Sequence, residues 1–128
     1  MTEWQTYRET ARSKGVLALE LYVVQSTPVV DKDRLREVLP EHLAYQGRME
    51  KSGNLVFAGP LSDESGENWS GAGLIVYRAA NLDAARALAA ADPMHESGCR
   101  TFTIRRWLLN EGRLQLAVSL STQISDVT

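Results

Sequence analysis

Between Val16 and Val24 the chain reads Val-Leu-Ala-Leu-Glu-Leu-Tyr-Val-Val, and this stretch constrains the fold more than any other. Leu17, Leu19, Leu21 and Val23 recur at period two, while Val16, Ala18, Tyr22 and Val24 make the opposite face largely apolar as well. Alternation marks a strand, and apolar side chains on both faces require cover on both sides of the sheet. The stretch is far shorter than the roughly 20 residues that span a bilayer, and Glu20 interrupts it.

The rest of the pattern adds elements on either side. Thr2 and Gln5 stand at capping-box spacing ahead of a short amphipathic helix that stops at Lys14-Gly15. Gln25 to Val30 reads as a loop, and Asp31 to Leu39 as a short helix. Proline suits a first helical turn better than a helix interior, so Pro40 predicts the start of a second helix with His42 in its first turn. Ser52-Gly53-Asn54 ends that helix, and Leu55 to Ala58 begins a strand that runs into Gly59-Pro60. The polar stretch Leu61 to Ser70 is the longest predicted loop, followed by a strand at Gly73 to Tyr77. Asn81 caps an alanine-rich helix that closes near Asp92-Pro93. Thr101 to Trp107 is β-rich, and beyond Gly112 the alternation of Leu114, Leu116, Val118 and Leu120 predicts a last strand, with Ser121 to Thr128 loose.

The order helix, β, α, β, β, α, β, β has at its centre the split βαβ arrangement of a ferredoxin-like α+β domain. One domain over residues 1–128 is expected, with a core at about 16–109, an N-terminal helical extension at 1–15 and a C-terminal strand and tail at 112–128. Helices on one sheet face leave the other apolar face wet, and pairing with a second copy covers it. The expected assembly is a homodimer built as a dimeric α+β barrel, open to further association.

Composition narrows the function classes. Fourteen basic against sixteen acidic side chains supply no strong positive field, so nucleic acid is not an expected partner. The polar, acid-bearing N-terminus and the lack of a long apolar run predict a cytoplasmic protein that does not engage a membrane. The single cysteine, Cys99, forms no intrachain disulfide and reads as a small buried apolar side chain. No nucleophile elbow, Walker loop or Cys-His pattern occurs. Gly71-Ala72-Gly73 enters a strand instead of leaving one for a helix, so it reads as a turn and not a phosphate loop.

Two histidines remain for proton transfer near neutral pH. His42 at a helix start can approach Asp92 at the end of the other helix, and the carboxylate then fixes the imidazole tautomer. On spacing alone, packing or surface roles for both residues stay open. Asp92, His95 and Cys99 make at most a fragment of a metal site, and neither a metal nor a cofactor is expected. Arg105 and Arg106 face opposite ways on a strand and suit solvation or an ion pair.

Pro40-Glu41-His42-Leu43, Gly53 with Phe57-Ala58-Gly59-Pro60, and Ala91-Asp92-Pro93 followed by Gly98 resemble the YciI-like, or YCII-related, family over about Leu17 to Trp107. The resemblance implies a ferredoxin-like dimeric barrel and a His and Asp active-site pair at His42 and Asp92; it requires no histidine at His95. Some relatives resemble dehydrochlorinases and muconolactone-isomerase-like enzymes, which implies acid/base chemistry on a small cyclic substrate without a cofactor. The second reading is a non-catalytic dimer that binds a small ligand or acts as an accessory protein.

Overall fold

The first helix, α1 (Trp4–Ser13), starts behind Glu3 in the computed structural model, which describes residues 1–127. With Trp4 as the first helical residue, Gln5 stands second, one position short of a capping box, and its amide donates to Glu9 instead (3.2 Å). Glu3 makes no side-chain cap, so the expected Thr2 and Gln5 box does not form. The helix buries none of its residues, and Trp4 stacks on Tyr7 with ring centroids 6.4 Å apart.

The chain divides into two compact units. One is Glu20–Leu108; the other joins Met1–Leu19 to the chain from Leu109 onward. The first strand, β1 (Leu19–Pro28), starts later and ends later than its apolar pattern predicts. Ala18 has a positive φ of 48°, which breaks the extended chain before Leu19 and leaves Leu17 61% exposed.

In α2 (Lys32–Ser52) Asp31 caps the N-terminus by accepting from the Arg34 N–H (2.9 Å), and Gly53 ends the helix at φ 84°. Pro40 lies inside this helix and starts no new one, which corrects the expectation of a break. Proline removes one hydrogen bond, to the carbonyl of Arg36, and Arg36 is exposed, so water can satisfy it. The stripe Leu35, Val38, His42, Tyr45 and Met49 runs across the proline at helical spacing, and packing along it holds the helix together. His42 is therefore in mid-helix and not in a first turn.

Then follow β2 (Leu55–Pro60), β3 (Gly73–Tyr77), α3 (Leu82–Ala91), the single-turn α4 (Pro93–Glu96) and β4 (Arg100–Leu109). Asn81 caps α3 through the Ala84 N–H (2.8 Å). The sheet has the order β2-β3-β1-β4, the ferredoxin-like arrangement. β1 and β3 are antiparallel with Tyr22 opposite Tyr77 and Val24 opposite Ile75. These four side chains meet Ala85 and Ala89 of α3 in the main core, where small alanines let the helix lie close to the sheet. A second cluster of Val38, Met94 and Cys99 joins α2 to α4 and the start of β4, and Cys99 is buried there as its composition predicts.

In the other unit β5 (Leu116–Ser119) pairs antiparallel with β6 (Ile124–Val127), Val118 standing opposite Ser125. Ser121 to Thr128 reads as loose, and Thr128 lies outside the described residues; a turn over residues 120–123 instead leads into β6. Its register supplies the ladder hydrogen bonds that propensity does not advertise.

Candidate active site

Asp92 occupies the junction of α3 and α4, extended at φ −60° and ψ 126° because Pro93 follows it. That geometry turns its carboxylate onto the N-terminus of α4, where Oδ1 accepts from the Met94 N–H (3.0 Å). The side chain is fully buried. A carboxylate in such a place needs a further donor, and His42 supplies it: Nδ1 lies 2.8 Å from Oδ1 and 3.0 Å from Oδ2. Because an ionised carboxylate only accepts, Nδ1 carries the proton in this bond. The two residues that spacing alone left undecided are thus in contact, 50 positions apart in the chain.

His42 keeps 16% of its side-chain surface exposed, and no hydrogen bond holds its Nε2 among the described residues. It lines a cavity of about 300 Å³ whose walls include Leu39, Leu43 and Gln46 of α2, Met94, and the backbone of Gly71 to Gly73. Trp69 closes another side, its indole Nε1–H donating to the Ala72 carbonyl (2.7 Å). Gly71 has φ 102°, and a Cβ there would come within 2.5 Å of the Pro28 ring, so only glycine fits this turn. The turn read at Gly71-Ala72-Gly73 is a cavity wall.

His95 has a different setting. Its Nδ1–H donates to the Ala89 carbonyl (2.7 Å), and its Nε2 lies 2.8 Å from the Ser26 hydroxyl. Its ring also tilts against Phe102, with centroids 4.7 Å apart. Burial lowers the His95 pKa from its ordinary value, an effect the Ala89 hydrogen bond and Asp92 only partly oppose. A neutral ring with Nδ1 as donor makes Nε2 the acceptor of the Ser26 O–H. Ser26 in turn accepts from Arg100 Nε (2.7 Å).

Ser26 and Arg100 both line the cavity, and neither was read as a site residue from sequence. Ending β1 at Val24 placed Ser26 in a loop, although it continues the face of Tyr22 and Val24 at period two. Arg100 heads the face that continues through Phe102 and Ile104, and a cation at the head of an apolar face was the available signal. The arginines that did attract notice lie elsewhere: Arg105 is exposed, and Arg106 stands 3.9 Å from Glu20. Among the described residues no group of three His, Cys, Asp or Glu side chains is arranged to hold a metal ion. None of the described helices is long and apolar enough to cross a membrane.

Comparison with known proteins gives a family and a fold. The sequence matches the YCII-related domain over residues 18–108. No curated protein matches it. Among solved structures it is similar to the 5-chloro-2-hydroxyhydroquinone dehydrochlorinase of Burkholderia phenoliruptrix AC1100, solved in complex with 2,5-dihydroxybenzoquinone. The two share 17% identity at a TM-score of 0.53, over 68% of this chain and 92% of that one. At this identity the likeness concerns the fold, which both chains build as the same mixed α+β arrangement.

Proposed function

This chain belongs to the YCII-related domain family, and from that premise we propose that it is a cofactor-independent enzyme in which His42 transfers a proton and Asp92 holds its ring. One observation carries the reading: the His42 ring lines a cavity, its Nδ1 engaged by a buried carboxylate and its Nε2 without a protein partner among the described residues. With the proton fixed on Nδ1, the lone pair is on Nε2, which makes that atom a base toward whatever occupies the cavity. Asp92 does not touch the substrate; it sets the tautomer and the ring's direction.

The substrate is a small cyclic organic molecule. A cavity of about 300 Å³ suits a single ring, and its apolar walls at Leu39, Leu43, Met94 and Trp69 suit a flat hydrocarbon face. In a lyase acting on a chlorinated hydroquinone, Nε2 takes a proton from one ring hydroxyl and the imidazolium returns it to the chlorine-bearing carbon, giving a ketone; loss of a second hydroxyl proton to Nε2 then drives out chloride with its bonding pair and leaves a quinone. In an isomerase Nε2 takes a proton from one ring carbon, the C–H pair becomes a C=C bond as an existing double bond shifts, and His42 returns the proton to the far carbon. Similarity in fold to a dehydrochlorinase supports the first course. The rival reading, a ligand-binding or accessory protein whose pair only ties two helices, is favoured by a histidine with both nitrogens satisfied, and His42 has one open.

The test is chloride release from 5-chloro-2-hydroxyhydroquinone and solvent deuterium uptake into muconolactone, each with wild type and His42→Ala. Turnover that vanishes in the variant supports the reading. No turnover of either compound, or equal turnover in both proteins, removes it.

The homodimer belongs to the same proposal. Phe57, opposite Val76, is 50% exposed and Trp107 is 40% exposed, apolar surface that a second copy would cover. Light scattering at micromolar concentration should give twice the 14.2 kDa chain mass or a multiple of that; a monodisperse monomer excludes the dimer.

A further inference from the structure

Arg100 is a guanidinium that the protein has fixed in place without neutralising. Nε donates to Ser26 Oγ (2.7 Å), and Nη2 donates to the Ser26 carbonyl (3.0 Å) and to the Gly71 carbonyl. All three acceptors are uncharged, and Arg100 forms no ion pair among the described residues. Nη1 has no protein acceptor among them. The side chain is partly buried and stays charged, because a guanidinium does not give up its proton in proteins. The buried Asp92 carboxylate favours the charge of Arg100 without a hydrogen bond to it; a partly buried cation with no directly paired counter-ion is still costly, and it is tolerated where a ligand supplies the direct partner.

The surroundings fit that role. Ser26 accepts from Arg100 while donating to His95, and His95 is held by Ala89. The relay locks the direction of the guanidinium and ends in a neutral ring, so it adds no competing anion. The Gly71 turn gives a second anchor that only a glycine at that φ permits. Arg100 and His42 line the same cavity.

We propose that Arg100 is the specificity residue of this cavity and that its ligand is a small cyclic organic anion, whose carboxylate or phenolate oxygen pairs with Nη1. This rests on the reading of the cavity as the substrate site and narrows the substrate class to anions. Two N–H donors on Nη1 and full charge give a charge-assisted bond that a neutral analogue cannot match. An oxyanion held there stays in place while His42 works on the ring.

The test is binding of benzoate and of benzamide, its uncharged isostere, followed by Trp69 fluorescence and by amide shifts around Gly71 to Gly73. In wild type, benzoate binds at least about tenfold more tightly than benzamide, the factor expected of one charge-assisted hydrogen bond. Arg100→Met loses that preference and Arg100→Lys keeps part of it. Equal binding of the two probes by wild type overturns the proposal without any variant, as does benzoate that fails to bind or that binds Arg100→Met unchanged. The comparison is independent of turnover: charge-selective binding in a protein that catalyses neither reaction above leaves the anion site standing and removes the enzyme. Turnover without charge selectivity does the reverse.

Discussion

Of the two histidines of this chain, His42 lines the cavity and His95 stands behind its wall residue Ser26, and one is equipped for chemistry and the other for support. His42 lines the cavity with a buried carboxylate on one nitrogen and no protein partner, among the described residues, on the other. His95 has a backbone carbonyl on one nitrogen and a hydroxyl on the other. A carboxylate partner steadies a ring through both of its charge states, so the open nitrogen can take a proton and return it. A ring satisfied on both sides and desolvated resists the charge, and its value is to orient Ser26 and, through it, Arg100. The lesson is that residue type and proximity to Asp92 do not assign a role; the partner of each ring nitrogen does.

His42→Ala puts the largest strain on this contrast. It should lower kcat by about 10²- to 10⁴-fold on any substrate the wild type turns over, the range for losing a general acid or base. His95→Gln, measured alongside, should lose far less of kcat and show its effect mainly in KM, because His95 acts on the binding residue Arg100 through Ser26; an equal loss of kcat in both variants would break the comparison. Asp92→Ala comes next, because it deprives both the His42 ring and the α4 N-terminus of an acceptor. Urea unfolding should show a loss of about 2 kcal/mol, a cap and a buried hydrogen bond together. A variant as stable as wild type would mean that the carboxylate is not holding these elements.

Smaller is the effect of pH on stability through His95. Its folded pKa lies below the unfolded one, so the unfolded chain takes up the proton first as pH falls. The stabilisation is complete above about pH 6.5 and is lost as pH falls from there through the folded value. The groups around the ring are Ala89, Ser26, Asp92, Arg100 and His42, and the positive charge of Arg100 adds to its reluctance to charge. Urea midpoints between pH 8 and pH 5 should therefore decline in wild type, and less so in His95→Gln. A parallel decline in both would show that the buried ring is not what senses the proton.

The smallest effect concerns Tyr77, which sharpens the contrast by being a buried polar group whose hydroxyl has no hydrogen-bond partner among the described residues. Burial pushes its pKa well above the ordinary phenol value. Tyr77→Phe should be neutral or stabilise by up to about 1 kcal/mol, since no bond is lost and one desolvated hydroxyl is removed. A clear loss of stability would reveal a partner, such as a buried water, that the hydroxyl satisfies.

What the sequence determined by itself is local or short in range. Alternation located the first strand, flanking turn signals and β-rich composition the other three of the sheet, Gly53 and Asn81 set helix ends through backbone freedom and capping, and the order of elements named the ferredoxin-like arrangement. Resemblance directed attention to His42 and Asp92. The tertiary structure decided what depends on packing against distant residues. The apolar stripe from Leu35 to Met49 carried α2 through Pro40, because burial along a whole helix outweighs one missing hydrogen bond. It brought His42 to Asp92, and it drew Ser26, His95 and Arg100 from three separate elements into one relay. No local pattern encodes that relay, since its central hydrogen bonds join Ser26 to His95 and Arg100, 69 and 74 positions away, which only the folded chain makes neighbours.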